Sequence, residues 1–186
     1  MISRYIQVYD NVLKDVVFKK MQIIANKLKF EKRRIDNDIF VVKEHNLFNV
    51  ILGHMLKTSY NRDIKLHLGF CRLSSQSLDT GLRIHSDMSM AGKYAAVYYI
   101  DIGKQKTGTK FYKHNRYGYA LPEKIKSYEV NNVLKDSNNS NMWEEDITVI
   151  ARPNRLVTYQ SDLFHAKFPS TCNDKRIVWV GFYDIK

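Results

Sequence analysis

His85 and Asp87 stand two residues apart in the stretch LRIHSDMSM, residues 82–90, with Ser86 between them. In an extended segment the side chains at i and i+2 point to the same side, so one imidazole and one carboxylate can face a common ion. The triplet is weak by itself: with 6 His and 13 Asp in 186 residues, about 0.4 such triplets arise by chance. A single imidazole and a single carboxylate hold a metal poorly, so the reading needs a third donor from a distant strand. His165 supplies it, following NRLVTYQSDLF, a predicted strand and turn, and preceding the last predicted strand. Two histidines and one carboxylate are the donor set that suits Fe(II) and leaves three positions on one side of an octahedral ion open.

Arg176 adds a cation to the same region. It opens RIVWVGFYD, residues 176–184, where alternation puts Arg176, Val178, Val180 and Phe182 on one face and Trp179 on the other. A guanidinium buried without a partner is costly, and its favoured partner is a carboxylate bound through two parallel hydrogen bonds. No acidic residue in the sequence is an evident partner, and a small dicarboxylate ligand would supply one.

The elements that must position these groups are legible in the periodicities. YIQVYD alternates as a strand, and VLKDVVFKKMQIIANKL repeats through Leu13, Val17, Met21, Ile24 and Leu28 as an amphipathic helix. A second helix is predicted from about Leu47 to Tyr60, with Leu47, Val50, Ile51, His54 and Met55 on one side. From Ile64 onward the period changes to short β-branched and aromatic runs, among them IKLHLGFCRL, LRIHSD, KYAAVYYID, GTKFY, YGYAL, DITVIA, RLVTYQ and RIVWVGFYDI. Helices followed by many short strands predict an α+β, mainly β chain: a barrel or sandwich of antiparallel strands with N-terminal helices at its flank. The expected organisation is one domain, with the strand and helices in residues 1–62 and the barrel in 63–186. Residues 113–152, containing NNVLKDSNNSNMWEED, read as a polar surface insertion.

Composition narrows the partners. A hydrophobic fraction of 44% in 186 residues suits a globular core. The apolar runs are strand-length, which excludes a helical membrane span. The segment MISRYIQVYD carries Arg4, Gln7 and Asp10 where a secretory signal would be apolar, so a cytoplasmic location is expected. Cys71 and Cys172 are too few for a disulfide framework and read as packing residues. The net charge of +11 favours polyanions or acidic substrates without identifying one. More than half of it lies in residues 1–34, where nine Lys/Arg face three acids and the run ends in KFEKRR, read as a solvated helix face or a binding patch.

HSD at 85–87, AVYYID at 96–101, GTKFY at 108–112, NRLVTYQSDLFHAKFP at 154–169 and KRIVWVGFYD at 175–184 occur in that order. Together they resemble the 2-oxoglutarate and Fe(II)-dependent oxygenases, specifically the prolyl-hydroxylase-like branch. The resemblance implies a double-stranded β-helix, the jelly-roll or cupin-like barrel. It implies Fe(II), 2-oxoglutarate and O2 as cofactor and cosubstrates. His85, Asp87 and His165 would ligate the metal, and Arg176 would bind the distal carboxylate of 2-oxoglutarate with Tyr99 and Thr109 beside it. Only one of Tyr98 and Tyr99 can face inward. Relatives often carry Ser or Thr where this chain has Val178, so Tyr99 or Thr109 must supply that hydrogen bond. A tyrosine common about ten residues before the first ligand is also absent, with Ser74 and Ser75 in its neighbourhood.

The reaction implied is hydroxylation of a C–H bond with release of succinate and CO2, because halogenating relatives have Gly or Ala in place of Asp87. A protein or amino-acid side chain is favoured over nucleic acid as substrate, since AlkB-like demethylases carry a second Arg where this chain has Phe182. Such a demethylase, or a catalytically silent barrel serving as a binding module, stands as the alternative. Arg72, Gln160 and Asn115 are candidate pocket-lining residues. His45, His54, His67 and His114 read as surface, helix-face or strand-face residues.

Overall fold

The computed structural model describes residues 5–35, 38–75, 83–88, 90–122, 127–169 and 174–186. Along them run β1 (Ile6–Tyr9), α1 (Asp15–Lys27), β2 (Glu31–Ile35), β3 (Asp38–Lys43), α2 (Asn46–Tyr60), β4 (Ile64–Ser74), β5 (Tyr94–Asp101), β6 (Gly108–His114), α3 (Ser127–Asp136), β7 (Trp143–Ile150), β8 (Arg155–Gln160), β9 (His165–Phe168) and β10 (Arg176–Ile185). A seven-stranded sheet has the order β1-β8-β5-β10-β4-β3-β2, and a three-stranded sheet the order β7-β6-β9. The pairings in both sheets are antiparallel. This is the mainly β, α+β architecture expected from the sequence, with two sheets facing one another.

The central strands β5 and β10 are buried along nearly their whole length, which is why their sequences read as continuous apolar runs. One face of the large sheet packs on α1 and α2 through Ala96, Tyr98, Ile100, Leu156, Ile177, Trp179 and Tyr183. The other face meets the small sheet through Ala95, Val97, Tyr99, Val157, Tyr159, Val178 and Phe182, against Phe111 and Val149. A third cluster, with Ile84, Tyr112, Val133, Trp143 and Phe164, includes residues of α3 and of the small sheet. Trp179 lies so close over Gly181 that a Cβ there would fall 2.1 Å from the indole, so this strand position is restricted to glycine.

Helix α1 buries Phe18, Met21 and Ala25, and has Asp15 in its first turn and Lys27 in its last, each sign matched to the helix dipole. Helix α2 buries Phe48, Leu52, Met55 and Leu56, which corrects the expected face: Leu47 is 46% and Val50 69% exposed. Apolar residues cover both sides of this helix, so periodicity alone does not choose between them. The helix stops at Asn61, whose φ of 50° is the left-handed cap that asparagine tolerates.

Three further expectations change. EKRRI is not a helix face but strand β2 of the hairpin with β3, held by surface pairs of Glu31 with Lys43 and Arg33 with Glu44. The stretch 113–152 contains α3 and the whole of β7, so the WEED run belongs to a sheet strand and not to a polar loop. YGYAL forms single bridges, His114 to Gly118 and Ala120 to Leu163, and no strand of its own. Cys71 is a buried free thiol in the helix-side core, while Cys172 lies outside the described residues. Among the described residues no helix is long and apolar enough to cross a membrane.

Candidate metal centre

The segment around His85 was expected to be a strand, and it makes only a single antiparallel bridge, to His165 at the start of β9. Two reciprocal backbone bonds fix it, His85 N–H to the His165 carbonyl at 3.0 Å and His165 N–H to the His85 carbonyl at 2.8 Å. Two residues on, the Asp87 N–H donates to the Ser161 carbonyl at 2.7 Å. The extended backbone preserves the i, i+2 relation: Ile84 is buried in the outer cluster with Trp143 and Phe164, while His85 and Asp87 turn toward His165.

The three side chains form one cluster. His85 Nε2 lies 3.6 Å from Asp87 Oδ1, and His165 Nε2 lies 3.3 Å from Asp87 Oδ2. One ligand atom from each falls within 4.8 Å of the others. Bonds of about 2.1 Å to a small divalent ion place neighbouring ligands about 3 Å apart, so small shifts would close this cluster on an ion. Both imidazoles are aimed by their own chain: Nδ1 of His85 lies 3.2 Å from the Arg83 carbonyl, and Nδ1 of His165 2.9 Å from the Leu163 carbonyl. With N–H donated there, each ring presents Nε2 inward, the tautomer that a metal requires.

Exposure falls across the cluster, from 35% for the His85 side chain to 13% for Asp87 and 7% for His165, so the open side is that of His85. Burial, with the neighbouring His165, pushes the His85 imidazole down to about 4. Burial alone would raise the Asp87 carboxyl, yet His165 beside it outweighs that and holds it below the usual range. Burial likewise works against a charged His165, and Asp87 reverses the balance, holding its proton above the ordinary histidine value. In the absence of an ion, the Asp87 charge is met by His165.

Arg176 is 4% exposed, and its guanidinium carbon lies 5.4 Å from the centre of the Tyr99 ring. Tyr99 pairs with Val178 across β5 and β10, and its hydroxyl is 2.8 Å from Thr109 Oγ1. Tyr98 faces the helices and donates to Asn154 Oδ1 at 2.7 Å. Among the described residues no carboxylate is within ion-pair distance of Arg176, and its buried Nε has no hydrogen-bond partner. The Thr107 hydroxyl, buried two residues before Thr109, is also unpartnered. Buried polar groups left open in this way are what a bound carboxylate would satisfy.

Other candidates separate. Arg72 is on β4 opposite Val178, and its charge acts on His85, Asp87 and His165. Gln160 is half-buried and pairs with Tyr94. Asn115 donates to the Asn141 carbonyl in the turn after β6, away from the end of that strand that carries Thr109. His67 and His114 do meet carboxylates, Asp184 at 2.8 Å and Asp136 at 3.2 Å, through folding and not through sequence spacing. Tyr159 is a residue that sequence reasoning missed. Its hydroxyl is 3.1 Å from His165 Nε2, and the signal for it was the alternation of Val157 and Tyr159 in RLVTYQ.

Residues 40–168 match the model of a family described as "Family of unknown function (DUF6445)". No curated protein matches the chain. Among solved structures, the chain is similar to the non-heme alpha ketoglutarate dependent carbocyclase SnoK from nogalamycin biosynthesis, with 11% identity, a TM-score of 0.65, and coverage of 100% of this chain and 81% of that one. HygX from Streptomyces hygroscopicus, solved with nickel and 2-oxoglutarate bound, gives 11% identity, a TM-score of 0.64, and coverage of 96% and 82%. An oxidoreductase of the 2OG-Fe(II) oxygenase family from Burkholderia pseudomallei gives 9% identity, a TM-score of 0.58, and coverage of 97% and 85%. At these identities the likeness is one of fold.

Proposed function

The chain belongs to the DUF6445 family, a family of unknown function, and on that footing we propose that it is an Fe(II)- and 2-oxoglutarate-dependent oxygenase that hydroxylates a peptidyl or amino-acid side chain. The observation that carries this reading is one interior holding both a two-histidine, one-carboxylate cluster and a buried guanidinium without an acidic partner among the described residues. The fold shared with SnoK, HygX and the Burkholderia oxidoreductase supports it, since their descriptions name ketoglutarate dependence, bound 2-oxoglutarate, or the 2OG-Fe(II) oxygenase family.

His85, Asp87 and His165 would hold Fe(II). Arg176, with the hydroxyls of Tyr99 and Thr109, would hold the distal carboxylate of 2-oxoglutarate, and the open Thr107 hydroxyl offers the hydrogen bond that Val178 cannot. When bound, iron and 2-oxoglutarate supply oxidation of a C–H bond by O2, coupled to loss of CO2 and release of succinate. The chain's own residues fix where this happens. The Arg83 and Leu163 carbonyls lock the imidazoles in one tautomer, and Phe111, Leu163, Val178 and Phe182 keep water from the inner wall. Substrate would enter on the His85 side, where Met88 is also exposed.

Phe182 is 2% exposed in the inner core, where AlkB-like demethylases place a second Arg, and this favours a side-chain substrate over a nucleobase. SnoK, a carbocyclase, is a reminder that related folds also serve outcomes other than hydroxylation. The test is succinate formation by the protein loaded with Fe(II) and 2-oxoglutarate, supplied with O2 and panels of peptides, free amino acids and methylated oligonucleotides. Stimulation by a peptide or amino acid, with a product heavier by one oxygen, is the expected result. Stoichiometric turnover of a methylated oligonucleotide would establish a demethylase instead. Failure to form succinate with any substrate or alone would leave a binding module.

A further inference from the structure

Tyr159 sits on the inner face of β8, one residue after Thr158, which faces the helix side and accepts from the Tyr60 hydroxyl at 2.8 Å. Its ring is 2% exposed and held edge-on by two neighbours, Phe111 at 5.1 Å and 78° and His165 at 4.8 Å and 60°. The phenol therefore cannot swing away from the cluster. Its oxygen lies 3.1 Å from His165 Nε2, the same nitrogen that lies 3.3 Å from Asp87 Oδ2.

We infer that Tyr159 is a positioning residue whose phenol O–H holds one oxygen of Asp87, so that the carboxylate offers only its other oxygen to a bound metal. The inference rests on the proposed reading of His85, Asp87 and His165 as ligands. It follows from what the phenol can bond to. Once His165 gives its Nε2 lone pair to a metal, that nitrogen no longer accepts a hydrogen bond, because its Nδ1–H is already committed to Leu163. The Asp87 carboxylate, whose Oδ2 lies beside that same nitrogen, is then an acceptor to which the phenol can turn. A carboxylate restrained in this way binds through one oxygen and leaves three neighbouring positions open for a cosubstrate and O2. Without the restraint its second oxygen is free to close on the ion and occupy one of them. Metal-binding side chains are generally aimed by such outer partners, whose loss weakens metal binding by about 10–100-fold.

The test is calorimetric titration of the full chain with cobalt(II), comparing wild type, Tyr159→Phe and Tyr183→Phe. Tyr183 is equally buried and hydrogen-bonded, to Tyr60 at 3.0 Å, but faces the helices. Tyr159→Phe is expected to bind cobalt(II) at least tenfold more weakly and with an altered visible absorption spectrum, while keeping the melting temperature of the metal-free wild type. Tyr183→Phe should bind like wild type. In an Asp87→Ala background, removing the Tyr159 phenol should change the residual affinity no further, because its effect runs through Asp87. This cycle also decides the matter if Tyr159→Phe proves less stable. Wild-type affinity and spectrum in Tyr159→Phe, or an undiminished effect in the Asp87→Ala background, would overturn the inference. So would a phenolate-to-iron(III) absorption band present in wild type and absent from Tyr159→Phe, which would make the phenol a ligand. Absence of cobalt(II) binding by the wild type would instead overturn the ligand reading itself.

Discussion

Tyr98 and Tyr99 are adjacent on β5, yet one faces the helices and the other the small sheet, and the two faces of the large sheet satisfy their polar groups differently. On the helix side Tyr98 donates to Asn154, the Trp179 indole donates to Asn49 Oδ1 at 2.8 Å, and Tyr183, Tyr60 and Thr158 bond to one another. Among the described residues, Arg176 Nε on the inner side and the Thr107 hydroxyl just before β6 are buried without partners, and three ionisable side chains of the inner side crowd together. Buried polar groups are normally paired because leaving one open costs about 1–3 kcal/mol. The strand residues of the helix side are thus paired with one another and with the helices, where His45 Nδ1 at the start of α2 is left open, whereas on the inner side the strand residue Arg176 itself carries an open buried donor. Mutations on the two faces should report on different properties.

The largest separation is expected between Trp179→Ala and Asp87→Ala. Truncating the fully buried indole should cost about 3–5 kcal/mol of stability, read from denaturant unfolding of the metal-free protein. Asp87→Ala should cost less of that stability, through loss of its pairing with His165, while removing most of the metal affinity. Arg176→Ala comes next: losing the charged partner of a buried carboxylate costs about 2–5 kcal/mol of binding, so the apparent affinity for 2-oxoglutarate in the metal-loaded protein should fall at least tenfold. An unchanged affinity would move the anchor elsewhere. The smallest contrast is Tyr98→Phe against Tyr99→Phe. The first should lower stability by about 1 kcal/mol through loss of the hydrogen bond to Asn154 Oδ1, which keeps the Leu13 N–H as its other donor, and the second should weaken 2-oxoglutarate binding more than it lowers stability.

Proton release sharpens the same contrast. Metal binding needs both imidazoles neutral at Nε2. His85, pushed down to about 4, is already neutral near neutral pH, whereas His165 keeps its proton above the ordinary histidine value. Below the His165 pKa a metal must displace that proton, so affinity should fall about tenfold per pH unit on the acid side. Above it, affinity should be independent of pH. Calorimetry in buffers of different ionisation enthalpy should find release approaching one proton on the acid side and vanishing on the basic side.

How far the sequence carried depended on how local each signal was. The faces of β5 and β10 were legible because alternation in a buried strand assigns every residue a side, so Arg176, Val178 and Phe182 separate from Trp179 without knowledge of the partner strands. The face of α2 was not, because Leu47, Val50 and Ile51 compete with Phe48, Leu52 and Met55 on equal terms and packing decides. Strand β2 was hidden by the charges in EKRRI, whose pairing depends on β3. At the centre, His85, Asp87 and His165 stood out by residue type. The demand at Thr107, the pairing of His114 with Asp136 and the place of Tyr159 exist only once strands distant in sequence meet.

Whether the inner face is a metal-dependent cosubstrate site is decided by anaerobic titration of the wild-type chain with Fe(II), followed by 2-oxoglutarate, with Asp87→Ala alongside. The expected result is one Fe(II) per chain, binding of 2-oxoglutarate that strengthens once the metal is in place, and loss of both steps in Asp87→Ala. Equal Fe(II) affinity in wild type and Asp87→Ala, or 2-oxoglutarate binding indifferent to the metal, would contradict it.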